Sequence, residues 1–171
     1  MSSLSPKAGK LSVREVCIMS LMGALMFASQ LAMSGLANIH IIAPLIIVCC
    51  VFFSWRALYA IFVFVMLEAL VWGLGLWVIS HMYLWPALAV VAIVLRRCDQ
   101  PIIWAVVAAV HGLLFGAGCA IPYLFIGGWE MAFSYWLSGI PFDLVHCLGN
   151  FVLTLVLYRP LKNVIFRAMK A

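Results

Sequence analysis

Three ionisable side chains fall in the middle of long apolar runs. Glu68 stands about 11 residues into one run, roughly 16 Å deep at the rise of an α-helix. His111 stands about 9 residues into another, roughly 13 Å deep. His146 lies about 12 residues above the end of the last run, roughly 18 Å. Asp143, His146 and Asn150 follow at i, i+3 and i+7, so a helix places all three on one face. Ionisable groups at such depth cost several kcal/mol in lipid and normally face the protein interior. The spacing predicts that Glu68 pairs with His111 or His146 across a bundle. Such a group can serve a binding site, a proton path or a structural hydrogen-bond network between helices.

A second set of residues is aromatic and polar but nearly uncharged. Asn38, His40, Tyr83, Trp85, Tyr123, Trp129, Tyr135 and Trp136 are rings and short hydrogen-bonding groups between or at the ends of apolar runs. They form either an interfacial aromatic belt or the lining of a pocket with a few polar anchors. A third pattern lies on the first run. Ser20, Ala24, Ala28 and Ala32 recur every four residues and make a smooth stripe that another helix can approach closely. It serves packing within the bundle or docking of a partner.

The elements that position these residues are membrane helices. Of 171 residues, 68% are apolar and 9% charged. A soluble domain carries roughly 25% charged residues, so lipid must cover most of this chain. Apolar runs of about 20 residues are long enough to cross a hydrocarbon core of about 30 Å. The runs predict an all-α membrane protein with six transmembrane helices. They are placed near Arg14–Gly35, Ile39–Phe53, Ala57–Ile79, Met82–Leu95, Ile102–Ile121 and Met131–Leu157. The long stretch Ala57–Leu95 is divided near Ser80–His81, which puts Pro86 in the first turn of the second piece. Pro122, Gly127, Gly128, Gly139 and Pro141 predict broken or re-entrant backbone between the last two helices. Residues 1–13 read as a polar tail, 14–158 as the transmembrane domain and 159–171 as a basic tail.

Charge orients the bundle. The ten basic residues are Lys7, Lys10 and Arg14 before the first helix, Arg56, then Arg96 and Arg97, and finally Arg159, Lys162, Arg167 and Lys170. Six spans place all of them on one side. The positive-inside rule makes that side cytoplasmic, together with both termini. The net charge of +5 then reflects topology, and nucleic acid is not implied. Cys17, Cys49, Cys50, Cys98, Cys119 and Cys147 form no CxxC pair and read as small apolar packing residues. No phosphate loop, GxSxG or HExxH is present. The chain is therefore not expected to be an enzyme, to bind a cofactor or metal, or to hydrolyse ATP alone.

The chain resembles the substrate-binding S component of an energy-coupling factor (ECF) transporter. The resemblance rests on the AxxxA of Ala24–Ala28, on SGIPFDLVHCLGNFVLTLVLYRPL from Ser138 to Leu161, and on ALYAIFVFVMLEALVWGLGLW from Ala57 to Trp77. It spans Leu11 to Met169. It implies a six-helix protein of the bacterial cell membrane that captures a vitamin, cobalamin foremost, from outside. The partners it implies are a transmembrane coupling protein, docked through the alanine stripe, and two cytoplasmic ATPases; the S component topples in the bilayer to deliver its ligand. By position it implies a pocket built from Asn38, His40, Tyr83, Trp85, Tyr123, Trp129, Tyr135 and Trp136, with Asp143 and His146 as its floor. A pyridoxine-like or deazapurine ligand suits the same lining. The alternatives are a haem- or quinone-binding redox subunit using His111 and His146, and a small proton-coupled carrier using Glu68.

Overall fold

A computed structural model describes residues 12–170, without the side chain of Lys170. Lys7, Lys10, most of the expected 1–13 tail and Ala171 lie outside the described residues. The helices are α1 Val13–Ala32, α2 Ile42–Phe53, α3 Ala57–Trp72, α4 Leu76–Val94 and α5 Pro101–Lys170, and a 3-10 turn, Ser54–Arg56, joins α2 to α3. The described residues contain no strand. Four stretches are long and apolar enough to cross a membrane: Val13–Ala32, Ile42–Trp72, Leu76–Val94 and Pro101–Met169.

The start of α1 is fixed by a reciprocal cap. Glu15 N–H donates to Ser12 Oγ at 3.2 Å, and Ser12 N–H donates to Glu15 Oε2 at 2.9 Å. This satisfies two of the donors a helix start leaves free. The same Glu15 carboxylate pairs with Arg56, which ties the start of α1 to the α2–α3 turn. Helix α1 runs beside α3 in the same direction. A Cβ on Gly23 would stand 2.6 Å from the Ala60 carbonyl oxygen, so only glycine permits the approach seen there. Helix α2 is apolar all round, and every residue from 42 to 50 is buried. A helix of that kind belongs in the centre of the bundle, and the core gathers around it.

The chain turns between α3 and α4 at Gly73–Gly75 and not at Ser80–His81. Gly73 adopts φ 82° and ψ 172°, a backbone region essentially reserved for glycine, and α3 ends there. The polarity of Ser80 and His81 does not break α4, because each finds a partner inside. Ser80 Oγ donates to the Leu76 carbonyl at 3.4 Å, and His81 meets Glu68. Tyr83 and Trp85, expected in an outer connection, therefore lie within α4. Pro86 lies in its interior and not in its first turn.

Helix α5 is two arms, 101–126 and 129–170, folded back on each other at Gly127 (φ −130°, ψ 16°) and Gly128 (φ 72°, ψ −167°). Three contacts fix the antiparallel register. Tyr123 stacks on Tyr135 with centroids 4.2 Å apart. Gly116 N–H donates to Asp143 Oδ1 at 2.9 Å, and Asn150 Nδ2 donates to the Ala108 carbonyl at 3.1 Å. The two glycines alone make the break. Pro122 and Pro141 stay inside helical backbone, so no re-entrant segment forms, and both arms run longer than the spans expected near Ile102–Ile121 and Met131–Leu157. The expected basic tail is helical through Lys170, and Leu161 and Ile165 pack against the core.

Candidate functional site

All four histidines of the chain meet around one tryptophan. They come from four different segments: the α1–α2 connection, α4, and the two arms of α5. Ring centroids lie 5.8 Å from Trp85 for His40, 5.7 Å for His81 and 5.3 Å for His111. His146 completes the group, 4.9 Å from His40 and 5.0 Å from Phe115. Trp85 is buried, and Phe64 and Phe115 stand 6.1 and 5.2 Å from it.

Glu68 is wholly buried at the edge of this cluster. Its two oxygens have separate partners. Gln30 Nε2 donates to Oε1 at 2.6 Å, and His81 Nδ1 lies 2.8 Å from Oε2. The chain Gln30–Glu68–His81 thus links α1, α3 and α4. The expected pairing with His111 or His146 does not form. His111 Nε2 stands 3.1 Å from the Leu84 carbonyl instead, and both ring nitrogens of His146 are buried without a partner. The turn at Gly73–Gly75 carries His81 into α4 beside Glu68, and the parallel packing of α1 on α3 brings Gln30 to the other oxygen.

These groups line a cavity of about 490 Å³. Gln30, the 33–40 connection, Glu68, Trp72, Trp77, His81, Trp85, Phe115 and His146 form its wall. Its volume falls in the range of small-molecule sites, about 300–1,000 Å³. Among the residues that line it, Gln30, His40, Trp85 and His146 carry buried side-chain atoms without a partner: Gln30 Oε1, His40 Nδ1, Trp85 Nε1 and both nitrogens of His146. Unpaired polar atoms away from water are costly, and native proteins generally pair them. Here they leave donor and acceptor capacity unused in the wall around the cavity. The lining holds no lysine or arginine. His40 lies in the α1–α2 connection, and burial, the neighbouring His81 and His111 adding to it, lowers its pKa from 6.5 to about 4. It is a neutral ring near pH 7.

A second cavity of about 340 Å³ adjoins the first through the shared residues Asn38 and Phe115, and is lined also by Cys119, Tyr135, Ser138 and Asp143. Asn38 Nδ2 donates to the Phe142 carbonyl at 3.2 Å and pins the connection to the second arm of α5. A Cβ on Gly116 would fall 2.6 Å from Asp143 Oδ1, so this glycine admits the carboxylate.

Of the residues singled out by sequence, Asn38, His40, Trp85, His146 and Glu68 line the larger cavity, and Asn38, Tyr135 and Asp143 the smaller. Tyr83 donates instead to the Gly118 carbonyl at 2.6 Å and holds α4 to α5. Trp129 and Trp136 border a separate apolar cavity between the α5 arms. Tyr123 is occupied by its stack on Tyr135. His111 buttresses Trp85, and Asn150 bonds the two arms. Sequence reasoning missed Gln30, Trp72, Trp77, His81 and Phe115. The polar Gln30 and His81 within apolar runs were the available signal.

Ser20, Ala24, Ala28 and Ala32 are all exposed, whereas Met19, Gly23 and Met26 of the same helix are buried. The stripe faces away from the bundle. Cys49 and Cys50 sit in the core of α2, and Cys17 is exposed on α1. No protein-family model, curated protein or solved structure matches this chain.

Proposed function

We propose that this chain is the membrane-embedded substrate-binding subunit of an ATP-driven importer, resembling the S component of an ECF transporter. It captures a small nutrient from outside with its six helical segments spanning the bilayer and both termini in the cytoplasm. The observation that carries this reading is the cavity of about 490 Å³ beside the histidine cluster, with unpartnered polar atoms from Gln30, His40, Trp85 and His146. Aromatic faces stack a flat ring, and these atoms match the donors and acceptors on its edge. Without a fixed cation in the lining, a phosphorylated or multiply carboxylated ligand is disfavoured. The volume favours a ligand of one or two fused rings over a whole corrinoid. A pyridoxine-like or deazapurine ligand therefore ranks ahead of cobalamin.

Orientation supports the reading. Arg56, Arg96, Arg97 and Arg159 all lie at the end of the bundle opposite the cavity, which the positive-inside rule assigns to the cytoplasm. No nucleotide-binding sequence is present, so ATP hydrolysis falls to partner subunits. The outward stripe on α1 is the surface offered to the coupling protein. The test is uptake in proteoliposomes holding this chain with a coupling protein and two ATPases. ATP-dependent accumulation of the ligand supports the reading. Uptake by the chain alone, driven by a proton gradient, would replace it with a self-sufficient carrier. A visible absorption band removed by His111→Ala or His146→Ala would replace it with a haem subunit.

A further inference from the structure

The turn between α3 and α4 forms one rim of the cavity, through Trp72 and Trp77. It is strongly apolar and points outward. Leu70 is 80% exposed and Leu74 is 87% exposed, with Val71 and Trp72 exposed beside them. Residues 70–80 carry no charge. In water such a tip would be an unexplained apolar patch, and it continues the exposed apolar surface that the helices carry elsewhere, as at Val94 and Leu148.

Helix length decides where the tip lies. Arg56 immediately precedes α3, whose 16 residues rise about 24 Å. Arg96 and Arg97 follow α4, whose 19 residues rise about 28 Å. With those arginines at the cytoplasmic headgroups, both helices end short of the far edge of a hydrocarbon core about 30 Å thick. The α5 hairpin is taller, since its first arm of 26 residues rises about 39 Å. The α3–α4 turn is thus the low side of the rim.

We propose that the α3–α4 turn, Leu70 to Trp77, is inserted at the outer boundary of the lipid hydrocarbon, so that this side of the cavity opens at the membrane interface and not into bulk water. The occupant of its apolar surface is lipid acyl chain. Trp72 and Trp77 then serve twice, as interfacial anchors and as cavity wall. A ligand entering on this side crosses the headgroup layer first, which selects for compounds that partition into membranes. This inference rests on reading the cavity end as the outer end, and its test does not depend on ligand binding.

The full chain is reconstituted in phosphatidylcholine vesicles with Leu74→Cys labelled by a bimane fluorophore, and labelled wild type supplies the background from native cysteines. Lipids brominated near the headgroup end of the acyl chain should lower the Leu74 signal roughly twofold, as expected of a shallow interfacial position, and aqueous iodide should have little effect. Loss of signal to iodide, or quenching by neither agent, overturns the inference; the second result would mean that protein covers the turn. If the labelled variant does not fold, Trp72→Phe is compared with wild type, and the difference in tryptophan emission must be quenched by the same lipids. A lipid-quenched turn in a chain that binds no small molecule would remove the proposed function alone. Ligand binding with an iodide-quenched turn would remove only this inference.

Discussion

Glu68 divides its carboxylate between two helices, taking Gln30 Nε2 of α1 at 2.6 Å on one oxygen and His81 Nδ1 of α4 at 2.8 Å on the other. One buried acid thereby joins the helix bearing the exposed small-residue stripe to the wall of the cavity. In a soluble core, removing one partner of such a pair costs about 3–5 kcal/mol. Within a membrane the unfolded reference state also finds polar partners, and measured hydrogen bonds are worth about 0.6–2 kcal/mol. The smaller figure governs here.

Replacing Glu68 with alanine should therefore destabilise the bundle by about 2 kcal/mol, and Glu68→Gln by about half as much, because an amide oxygen still accepts from Gln30. Thermal unfolding in detergent measures both. Equal losses for the two variants would show that the hydrogen bond from Gln30 contributes nothing.

The α5 hairpin makes a sharp prediction about glycines. At Gly112 an added Cβ would stand 2.9 Å from the carbonyl carbon and oxygen of His146. That obstacle is backbone and cannot swing aside, so Gly112→Ala should cost about 1–3 kcal/mol by overpacking. Gly116→Ala pushes on the Asp143 side chain and should also displace the wall of the smaller cavity. Gly139 has nothing within 4 Å of its added Cβ. Gly139→Ala should be neutral or stabilising by up to about 1 kcal/mol, the helix-propensity gain. Melting curves of the three variants test the hairpin register directly.

Acid should loosen the cavity through His40. Its folded-state pKa of about 4 lies below the unfolded value of 6.5, so the unfolded chain binds the proton more readily. The stability it contributes is fully present above pH 6.5 and declines as pH falls toward 4. At pH 5 the loss should be about 1–2 kcal/mol. Comparing melting at pH 7.5 and 5 in wild type and His40→Phe checks the sign. The variant should lose correspondingly less on acidification.

The stripe on α1 predicts a separation of roles. Ala24 and Ala28 are exposed, so Ala24→Phe and Ala28→Phe should change stability by less than about 0.5 kcal/mol. Ligand retention by the isolated chain should persist while ATP-driven uptake by the assembled transporter is lost. Uptake at the wild-type rate in the double variant would remove the docking role.

Much of this was legible in sequence for a physical reason. Arginine is expensive in lipid, so Arg56 and the Arg96–Arg97 pair mark turns reliably. The i, i+3, i+7 spacing of Asp143, His146 and Asn150 correctly identified a buried polar face, since all three are buried on the second arm of α5. The α3–α4 boundary was misplaced by several residues. An apolar run buried on many sides has no periodicity to read, and Ser80–His81 looked more like a turn than Gly73–Gly75. That shift hid the Glu68–His81 pair, Trp77 and the low rim of the cavity. The clustering of four histidines, three of them against Trp85, could not be read from one chain, because it depends on how four separate segments pack.

The most direct measurement is mass spectrometry of the small molecule retained by the purified chain. The cavity predicts one retained compound per chain, uncharged or weakly charged and bearing at least one flat ring, with retention at least tenfold weaker in His146→Phe and Trp85→Phe, the loss of about 1.4 kcal/mol of binding. A wild-type chain that retains no compound and takes up none from a nutrient mixture, or variants that retain the compound unchanged, would contradict it.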